Sequence, residues 1–91
     1  MKVIVGKING NSIESINEEI KDMAKKVELI IVVGEKKSVD TNNIYNISLK
    51  ECGNAMLAET MDDLYLNYIK RFKTVGIIPD AFTNKNQMLH Q

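Results

Sequence analysis

The sequence predicts an α/β fold: a single small domain with a parallel four-stranded sheet and helices on both of its faces. Short apolar runs alternate with longer segments of helical apolar spacing, which is the pattern of successive right-handed βαβ units. The run Leu29–Val33 is apolar throughout and rich in β-branched residues. Such a run is typical of a strand that is covered on both faces. The length of 91 residues fits one small domain.

Four apolar runs are predicted to form the strands, and they lie at residues 2–5, 29–33, 55–58 and 74–78. Pro79 ends the fourth run, because proline removes a backbone donor from the ladder. We expect Ile30 and Val32 to be almost fully buried, since they lie in the run that contains no polar residue. In a parallel sheet of this kind, a ligand would lie beyond the carboxyl ends of the strands.

Three segments with helical apolar spacing lie between the strands, and helices are predicted at residues 12–26, 41–52 and 61–72. The first helix is expected to begin at Asn11, paired with Glu14 in a capping box, or at Ser12 as the rival cap. Its apolar stripe consists of Ile13, Ile16, Ile20, Met23, Ala24 and Val27.

The other two helices also have terminal signals. Asp40 or Thr41 can cap the second, and Gly53 stands where a left-handed helix end is expected. Thr60 and Asp63 resemble a capping box at the start of the third. The inner face of the second helix would consist of Ile44, Ile47 and Cys52. The apolar positions of the third are Met61, Leu64, Tyr65, Tyr68, Ile69 and Phe72, of which Leu64 and Ile69 are expected to be almost fully buried.

Charge and composition exclude several classes of protein. Twelve basic and twelve acidic residues cancel, so no overall field would draw the chain to nucleic acid or to an anionic membrane. The single cysteine, Cys52, excludes an internal disulfide, and with the lack of a secretory signal it predicts a cytoplasmic protein. No apolar run approaches the roughly 20 residues of a membrane helix.

The loop before the second helix, residues 34–42, contains the side chains best suited to bind an anion. Lys36 or Lys37 supplies positive charge, while Ser38, Thr41 and Asn42 supply hydroxyl and amide donors near a helix start. The alternative is an ordinary βα loop whose polar side chains only cap the helix. The spacing favours this alternative, because the loop has neither the Walker nor the dinucleotide-binding glycine pattern.

Catalytic chemistry is not predicted from the residues alone. Cys52 has the position of a small core residue, and His90, the only histidine, lies in a polar tail. The sequence has no nucleophile elbow and no Cys/His cluster with metal-ligand spacing. The residues therefore predict neither a catalytic site nor a metal site.

The same loop resembles a known family. Residues 27–45 read V-E-L-I-I-V-V-G-E-K-K-S-V-D-T-N-N-I-Y. They resemble the signature V-D-x-x-L-V-V-G-G-K-N-S-S-N-T-N-R-L of the LytB family, the 4-hydroxy-3-methylbut-2-enyl diphosphate reductases of isoprenoid synthesis. Weaker resemblances lie upstream in V-I-V-G-K-I-N-G-N-S-I-E-S-I and downstream in K-T-V-G-I-I-P-D-A-F-T-N. The resemblance implies that residues 1–91 are one LytB-like domain, equivalent to the last third of a family enzyme and a fragment of a longer protein.

In the family, the equivalent loop holds the diphosphate of the substrate. The resemblance therefore implies that Lys36, Ser38, Thr41 and Asn42 bind a diphosphate, with a further hydroxyl from Thr83. These five residues are the predicted ligand-binding residues.

The sequence departs from the family pattern at four positions that have a binding role in the family. Val39 replaces a serine, and Phe82 falls where another serine is expected. Asp40 replaces an asparagine, and its carboxylate would repel a diphosphate unless it is protonated or paired. Gly6 occupies the position of a cysteine that binds the family's iron–sulfur cluster. Neither a cluster nor reductase activity is therefore expected from this chain alone.

Two functions follow as alternatives. The first is a LytB-like domain with a weakened diphosphate site, whose partners would be a diphosphate small molecule and the remaining domains of a parent protein. The second is a non-catalytic interaction or scaffold module whose loop is purely structural. Binding of diphosphate would favour the first function, and self-association without ligand binding would favour the second.

Overall fold

The four strands form one parallel sheet in the computed structural model, which describes residues 1–79. They are β1 (Lys2–Val5), β2 (Leu29–Val33), β3 (Ala55–Ala58) and β4 (Thr74–Ile78). The strand order is β1–β4–β2–β3, and every neighbouring pair is parallel. The predicted fold class and the predicted strand positions are therefore confirmed. β2 and β4 occupy the centre of the sheet.

Helix α1 (Ile13–Ala24) begins with a capping box formed by two serines. The Ser12 hydroxyl accepts from the Ser15 N–H at 3.1 Å, and the Ser15 hydroxyl accepts from the Ser12 N–H at 3.2 Å. The predicted box of Asn11 and Glu14 is wrong, because the helix begins one residue later than that pairing requires. Ile13 is 62% exposed, so the apolar stripe packs into the core only from the second turn onward.

Helix α2 (Val39–Cys52) begins two residues earlier than predicted, because Ser38 is its cap. The Ser38 hydroxyl accepts from the Thr41 N–H at 3.2 Å. Asp40 and Thr41, the predicted caps, instead lie in the first helical turn. The helix ends as predicted at Gly53, whose φ of +90° is in the left-handed region that favours glycine.

The third predicted helix is broken. A 3₁₀ turn covers Met61–Asp63, and a single short helix, α3, covers Leu66–Ile69. Tyr65 between them is extended, with φ −92° and ψ 92°. Asp63 does bond back to the Thr60 N–H, at 3.2 Å, but this bond closes a 3₁₀ turn rather than opening a long helix. Periodic apolar spacing could not reveal the interruption, because the two short segments still turn most of the same side chains toward the sheet.

The sheet separates two apolar layers. One lies under α1 and α2 and consists of Ile8, Ile16, Ile20, Met23, Val27, Ile30, Val32, Ile44 and Ile78. The other lies under the connection between β3 and β4, residues 59–73, which is called the third crossover. This layer consists of Leu29, Ile31, Ala58, Ile69 and Val75. Ile30 and Val32 are 0% exposed and Ile69 is 4% exposed, as predicted. Leu64 is only partly buried, because it lies beside the interruption at Tyr65.

The third crossover leaves part of its side of the sheet uncovered. Val3 and Val5, on edge strand β1, are 47% and 64% exposed. Ile4, between them, packs on the layer under α1 and α2, so the two valines face the opposite side. Among residues 1–79, the helices lack the combination of length and apolarity that a membrane span requires.

Candidate functional site at the carboxyl edge of the sheet

Two loops meet where β2 and β3 end. The Gly34 N–H, after β2, donates to the Ala58 carbonyl, at the end of β3, at 3.0 Å. The chain leaves β2 toward the layer under α2 and leaves β3 toward the opposite layer. Neighbouring parallel strands whose connections leave on opposite faces form the crevice in which α/β proteins bind ligands. The predicted anion loop forms one wall of this crevice.

Ser38 lies at the start of α2, at this edge of the sheet. Its hydroxyl oxygen accepts from the Thr41 N–H, while its hydrogen can still be donated to a ligand. The N–H groups of Val39 and Asp40 follow in the first turn, where an α-helix leaves its N–H groups without an intrahelical partner. A hydroxyl and two backbone donors therefore lie together at the end of a central strand.

The side chains of Thr41 and Asn42 make their contacts within the segment that joins β2 to α2. Thr41 is 5% exposed, and its hydroxyl and methyl groups lie against Gly34, where a β-carbon would collide with them. The Asn42 side-chain amide donates to the carbonyls of Lys36 and Ser38, at 2.7 and 2.8 Å. These contacts use both amide hydrogens of Asn42. Thr41 and Asn42 thus hold the loop in shape rather than presenting donors to a ligand.

Lys36 is held from the other wall of the crevice. Its ammonium group pairs with the Asp63 carboxylate, with Nζ 3.0 Å from Oδ1. Its backbone N–H donates to Glu59 Oε2 at 3.0 Å. The hydrogen bond with Asp63 is the main reason why the pKa of Lys36 is raised. One of the two lysines of the loop is therefore engaged by a carboxylate, and the other, Lys37, is exposed.

Asp63 has three donors around its carboxylate. Oδ2 accepts from the Glu59 and Thr60 N–H groups at 2.8 and 3.2 Å, and Oδ1 pairs with Lys36. The Glu59 N–H, the Lys36 side chain and the Thr60 N–H, in that order, lower the pKa of Asp63 to about 2. The carboxylate is consequently ionised at any pH near neutrality.

Asp40 lies away from this ion pair. It is exposed and lines a groove between α1 and α2, together with Asn11, Ile13 and Asn43. In the first turn of α2, a carboxylate is favoured by the helix dipole. Asp40 nonetheless lies within one turn of the Ser38 hydroxyl, so its charge opposes an anion bound at the helix start.

Four of the five predicted ligand-binding residues lie between the end of β2 and the first turn of α2: Lys36, Ser38, Thr41 and Asn42. Thr83 lies outside the described residues. Sequence reasoning missed Glu59 and Asp63, which form the second wall of the crevice. The spacing of Thr60 and Asp63 could have revealed this wall. Thr60 follows β3, so a carboxylate that accepts from the Thr60 N–H lies at the carboxyl end of that strand.

A protein-family model identifies the family of this chain. The model of the family described as LytB protein matches residues 11–90. The chain belongs to the LytB family. The family resemblance of the loop is thereby confirmed, while the binding roles that it implies remain predictions.

Curated LytB relatives are much longer than this chain. A 4-hydroxy-3-methylbut-2-enyl diphosphate reductase of Fusobacterium nucleatum is 35% identical over 71 residues, which are 78% of this chain and 9% of the relative. An enzyme of the same name from Helicobacter pylori strain Shi470 is 36% identical over 62 residues, or 68% of this chain and 23% of the relative. The chain thus spans less than a quarter of the length of either relative.

Solved structures support the fold. The chain resembles an (E)-4-hydroxy-3-methyl-but-2-enyl diphosphate reductase with a TM-score of 0.66 at 23% identity, over 87% of this chain and 37% of that one. It resembles the E-1-hydroxy-2-methyl-but-2-enyl-4-diphosphate reductase of Plasmodium falciparum with a TM-score of 0.65, also at 23% identity, over 72% of this chain and 21% of that one. The small α/β domain is therefore a LytB fold.

The residues that the structure describes do not fit the iron–sulfur cluster that the family implies. Within residues 1–79, no group of three or more His, Cys, Asp or Glu side chains could hold a metal. At Gly6, the space that a β-carbon would take is filled by the terminal methyl group of Met23. Cys52 lies at the opposite edge of the sheet, where its Sγ is 3.7 Å from the Val27 carbonyl.

Proposed function

We propose that this chain is a LytB-like domain that binds a diphosphate weakly at the β2–α2 loop and catalyses no reaction by itself. The observation that carries the proposal is the position of the Ser38-capped start of α2. It lies at the carboxyl end of the central strand β2, beside a crevice between loops that leave on opposite faces. Helix starts at such edges offer backbone N–H groups and a favourable dipole to a phosphate group.

The affinity should be low, for three reasons that act in the same direction. Val39 offers no side-chain donor, and the amide of Asn42 is used within the loop. Asp40 adds a negative charge to the first turn of α2. Losing a charge-assisted hydrogen bond costs roughly 1.5–3 kcal/mol, so binding should be about millimolar or weaker.

The lack of catalysis is part of the same proposal. The chain spans less than a quarter of the curated reductases that it matches, so most of the residues of such an enzyme would have to come from elsewhere. We propose that residues 1–91 act as one domain, that the remaining domains of a parent protein are its partners, and that it functions in the cytoplasm.

Titration with inorganic pyrophosphate tests the binding site. Backbone amide signals of residues 38–41 should shift in NMR spectra with a dissociation constant of about 1 mM or higher. Asp40→Asn should tighten binding, because the substitution removes the repulsion while keeping a polar side chain. The matched control is Asp22→Asn, which removes the same charge from the exposed side of α1 and should leave affinity unchanged.

Two outcomes would contradict the proposal. One is the absence of any shift in the loop, for the unmodified chain and for Asp40→Asn alike. The other is an equal gain in affinity for Asp40→Asn and Asp22→Asn, which would mean that pyrophosphate responds only to net charge. Titration with sulfate over the same range distinguishes a diphosphate site from a general anion site.

The second candidate function is a scaffold or interaction module whose loop is purely structural. The contacts of Lys36, Thr41 and Asn42 favour it, because each of these side chains already has a partner or packing role within the protein. This function predicts no pyrophosphate shifts in any loop variant. It also predicts self-association in sedimentation experiments without added ligand.

A further inference from the structure

We infer that Asp63 competes with a bound anion for Lys36, because it holds Lys36, one of the two lysines of the β2–α2 loop, in an ion pair across the crevice. The inference rests on the proposed function and names how that same site is regulated. The Lys36–Asp63 pair, together with the hydrogen bonds that position it, is called the latch below. The latch joins the loop after β2 to the loop after β3.

Three observations show that the latch is positioned rather than incidental. The Asp63 carboxylate is fixed by two backbone N–H groups, so it presents Oδ1 to Lys36 without depending on side-chain freedom. The backbone of Lys36, the other member of the ion pair, is also held in place: its N–H donates to Glu59 and its carbonyl accepts from Asn42. Both ends of the ion pair are therefore preorganised.

The latch affects binding because it engages one of the two lysines of the loop. A diphosphate at the start of α2 would be held by the Ser38 hydroxyl and by first-turn N–H groups, and Lys36 would add a charge-assisted bond. Lys36 can add that bond only by leaving Asp63. Glu59 Oε2 accepts from the Lys36 backbone N–H, and the negative charge of Glu59 also favours the charged form of the Lys36 ammonium group. An incoming anion therefore competes with carboxylates that are already in place.

The competition should be modest in size, since the pair lies at the surface, with side chains that are 51% and 24% exposed. Exposed ion pairs contribute little to stability, so releasing one corresponds to about a two- to fivefold change in affinity. The latch thus lowers affinity without abolishing binding. Any change that removed the carboxylate would leave the Lys36 ammonium group without this partner.

The experiment compares Asp63→Asn with Asp62→Asn by pyrophosphate titration. Both variants remove one negative charge from the same 3₁₀ turn, but only Asp63 contacts Lys36. An asparagine oxygen can keep accepting from the Glu59 and Thr60 N–H groups while its NH₂ group faces Lys36 and no longer holds it. Asp63→Asn should bind pyrophosphate about two to five times more tightly than Asp62→Asn.

A double variant identifies the cation involved. Lys36→Met should weaken binding, and adding Asp63→Asn to Lys36→Met should give no gain. A gain of the same size with and without Lys36 would overturn the inference, since it would mean that Asp63 acts on the anion directly. Equal affinities of Asp63→Asn and Asp62→Asn, with binding intact, would overturn it as well while leaving the proposed function standing.

A measurement on the unmodified chain avoids any dependence on whether Asp63→Asn folds. The side-chain carboxyl carbon signal of Asp63 should shift on titration with the same dissociation constant as the Ser38 and Thr41 amide signals. A fixed Asp63 signal beside shifting amides would show that the latch stays closed, and would refute competition. Absence of binding in every variant would instead refute the proposed function, and the inference with it.

Discussion

Ser38 illustrates how one side chain can serve both the fold and the site. Its hydroxyl oxygen caps α2 by accepting from the Thr41 N–H, and the same hydroxyl has a hydrogen to donate to a ligand. Removing it should therefore affect stability and binding together. Stability alone would not identify a binding role, because every helix cap contributes in the same way.

We expect Ser38→Ala to lower the free energy of unfolding by about 1 kcal/mol and to weaken pyrophosphate binding. The matched control is Ser12→Ala, which removes the cap of α1 and should cost a similar free energy without affecting binding. Urea titration gives the first quantity and NMR titration the second. If Ser38→Ala and Ser12→Ala behaved alike in both measurements, Ser38 would be a helix cap only.

The Asp63 carboxylate predicts a pH dependence of stability. Its pKa is lowered from 3.8 to about 2 in the folded chain, so the ionised form is favoured by folding. The stabilisation is fully present above the ordinary pKa of an aspartate, and it is lost as the pH falls toward 2. We expect the free energy of unfolding to decline over this acid range, as measured by urea titration at pH 5, 3 and 2.

Two variants test whether Asp63 causes this decline in stability. Asp63→Asn should flatten the decline, because it cannot be protonated in this range. Asp62→Asn leaves the Lys36–Asp63 pair in place and should retain the steeper decline. An equal slope in both variants would mean that other carboxylates account for the acid sensitivity.

At the scale of elements, β2 contributes to both apolar layers. Ile30 and Val32 pack under α1 and α2, whereas Leu29 and Ile31 pack under the third crossover. A cavity in β2 would therefore open in the centre of the sheet, between β4 and β3. An edge strand has no comparable position.

We expect Ile30→Ala to lower the free energy of unfolding by about 2–5 kcal/mol, through lost burial and the cavity left behind. The control is Val3→Ala on edge strand β1, which is 47% exposed and should cost about 0.5 kcal/mol or less. Denaturant titration measures both. A cost below about 1 kcal/mol for Ile30→Ala would mean that β2 is not central to the core.

The elements that could be predicted from the sequence are those that a local pattern determines. Apolar runs located the strands, because strands buried in the sheet need apolar side chains. Pro79 and Gly53 located the ends of β4 and α2 through their backbone chemistry. The broken third crossover could not be predicted. Its interruption at Tyr65 accompanies the contacts of Asp63 with residues 59 and 60 and with Lys36, and the contact with Lys36 spans 27 positions of the chain.

Only one wall of the candidate site, the loop after β2, could be predicted from the sequence. The loop and its start-of-helix position followed from the strand end and the polar residues after it. The identity of the opposite wall did not, because it depends on the order β1–β4–β2–β3, which places β3 beside β2. The hydrogen bonds of the Asn42 amide likewise depend on the folded conformation of the loop, so residue spacing does not predict them.

At the scale of the whole molecule, the fold places the candidate anion loop and Gly6 at the same carboxyl edge, on different strands. β1 and β2 are separated by β4, and Met23 fills the space beside Gly6 as well as beside Gly76 of β4. A thioether packed between two strands is part of the core under α1. At Gly6, the carboxyl edge is therefore occupied by core packing.

This arrangement predicts the result of anaerobic reconstitution with iron and sulfide. The chain should give no visible-range cluster spectrum and no reductase turnover, because position 6 offers no thiolate and Cys52 lies at the far edge of the sheet. A full-length LytB relative treated identically is the positive control for the procedure. Gly6→Cys alone should not change the outcome, because a single thiol at that edge cannot complete a set of cluster ligands and its side chain would displace Met23. A cluster spectrum from the unmodified chain, with iron and sulfide bound in stoichiometric amounts, would contradict the proposal and show that ligands are supplied by residues other than those that the sheet brings together.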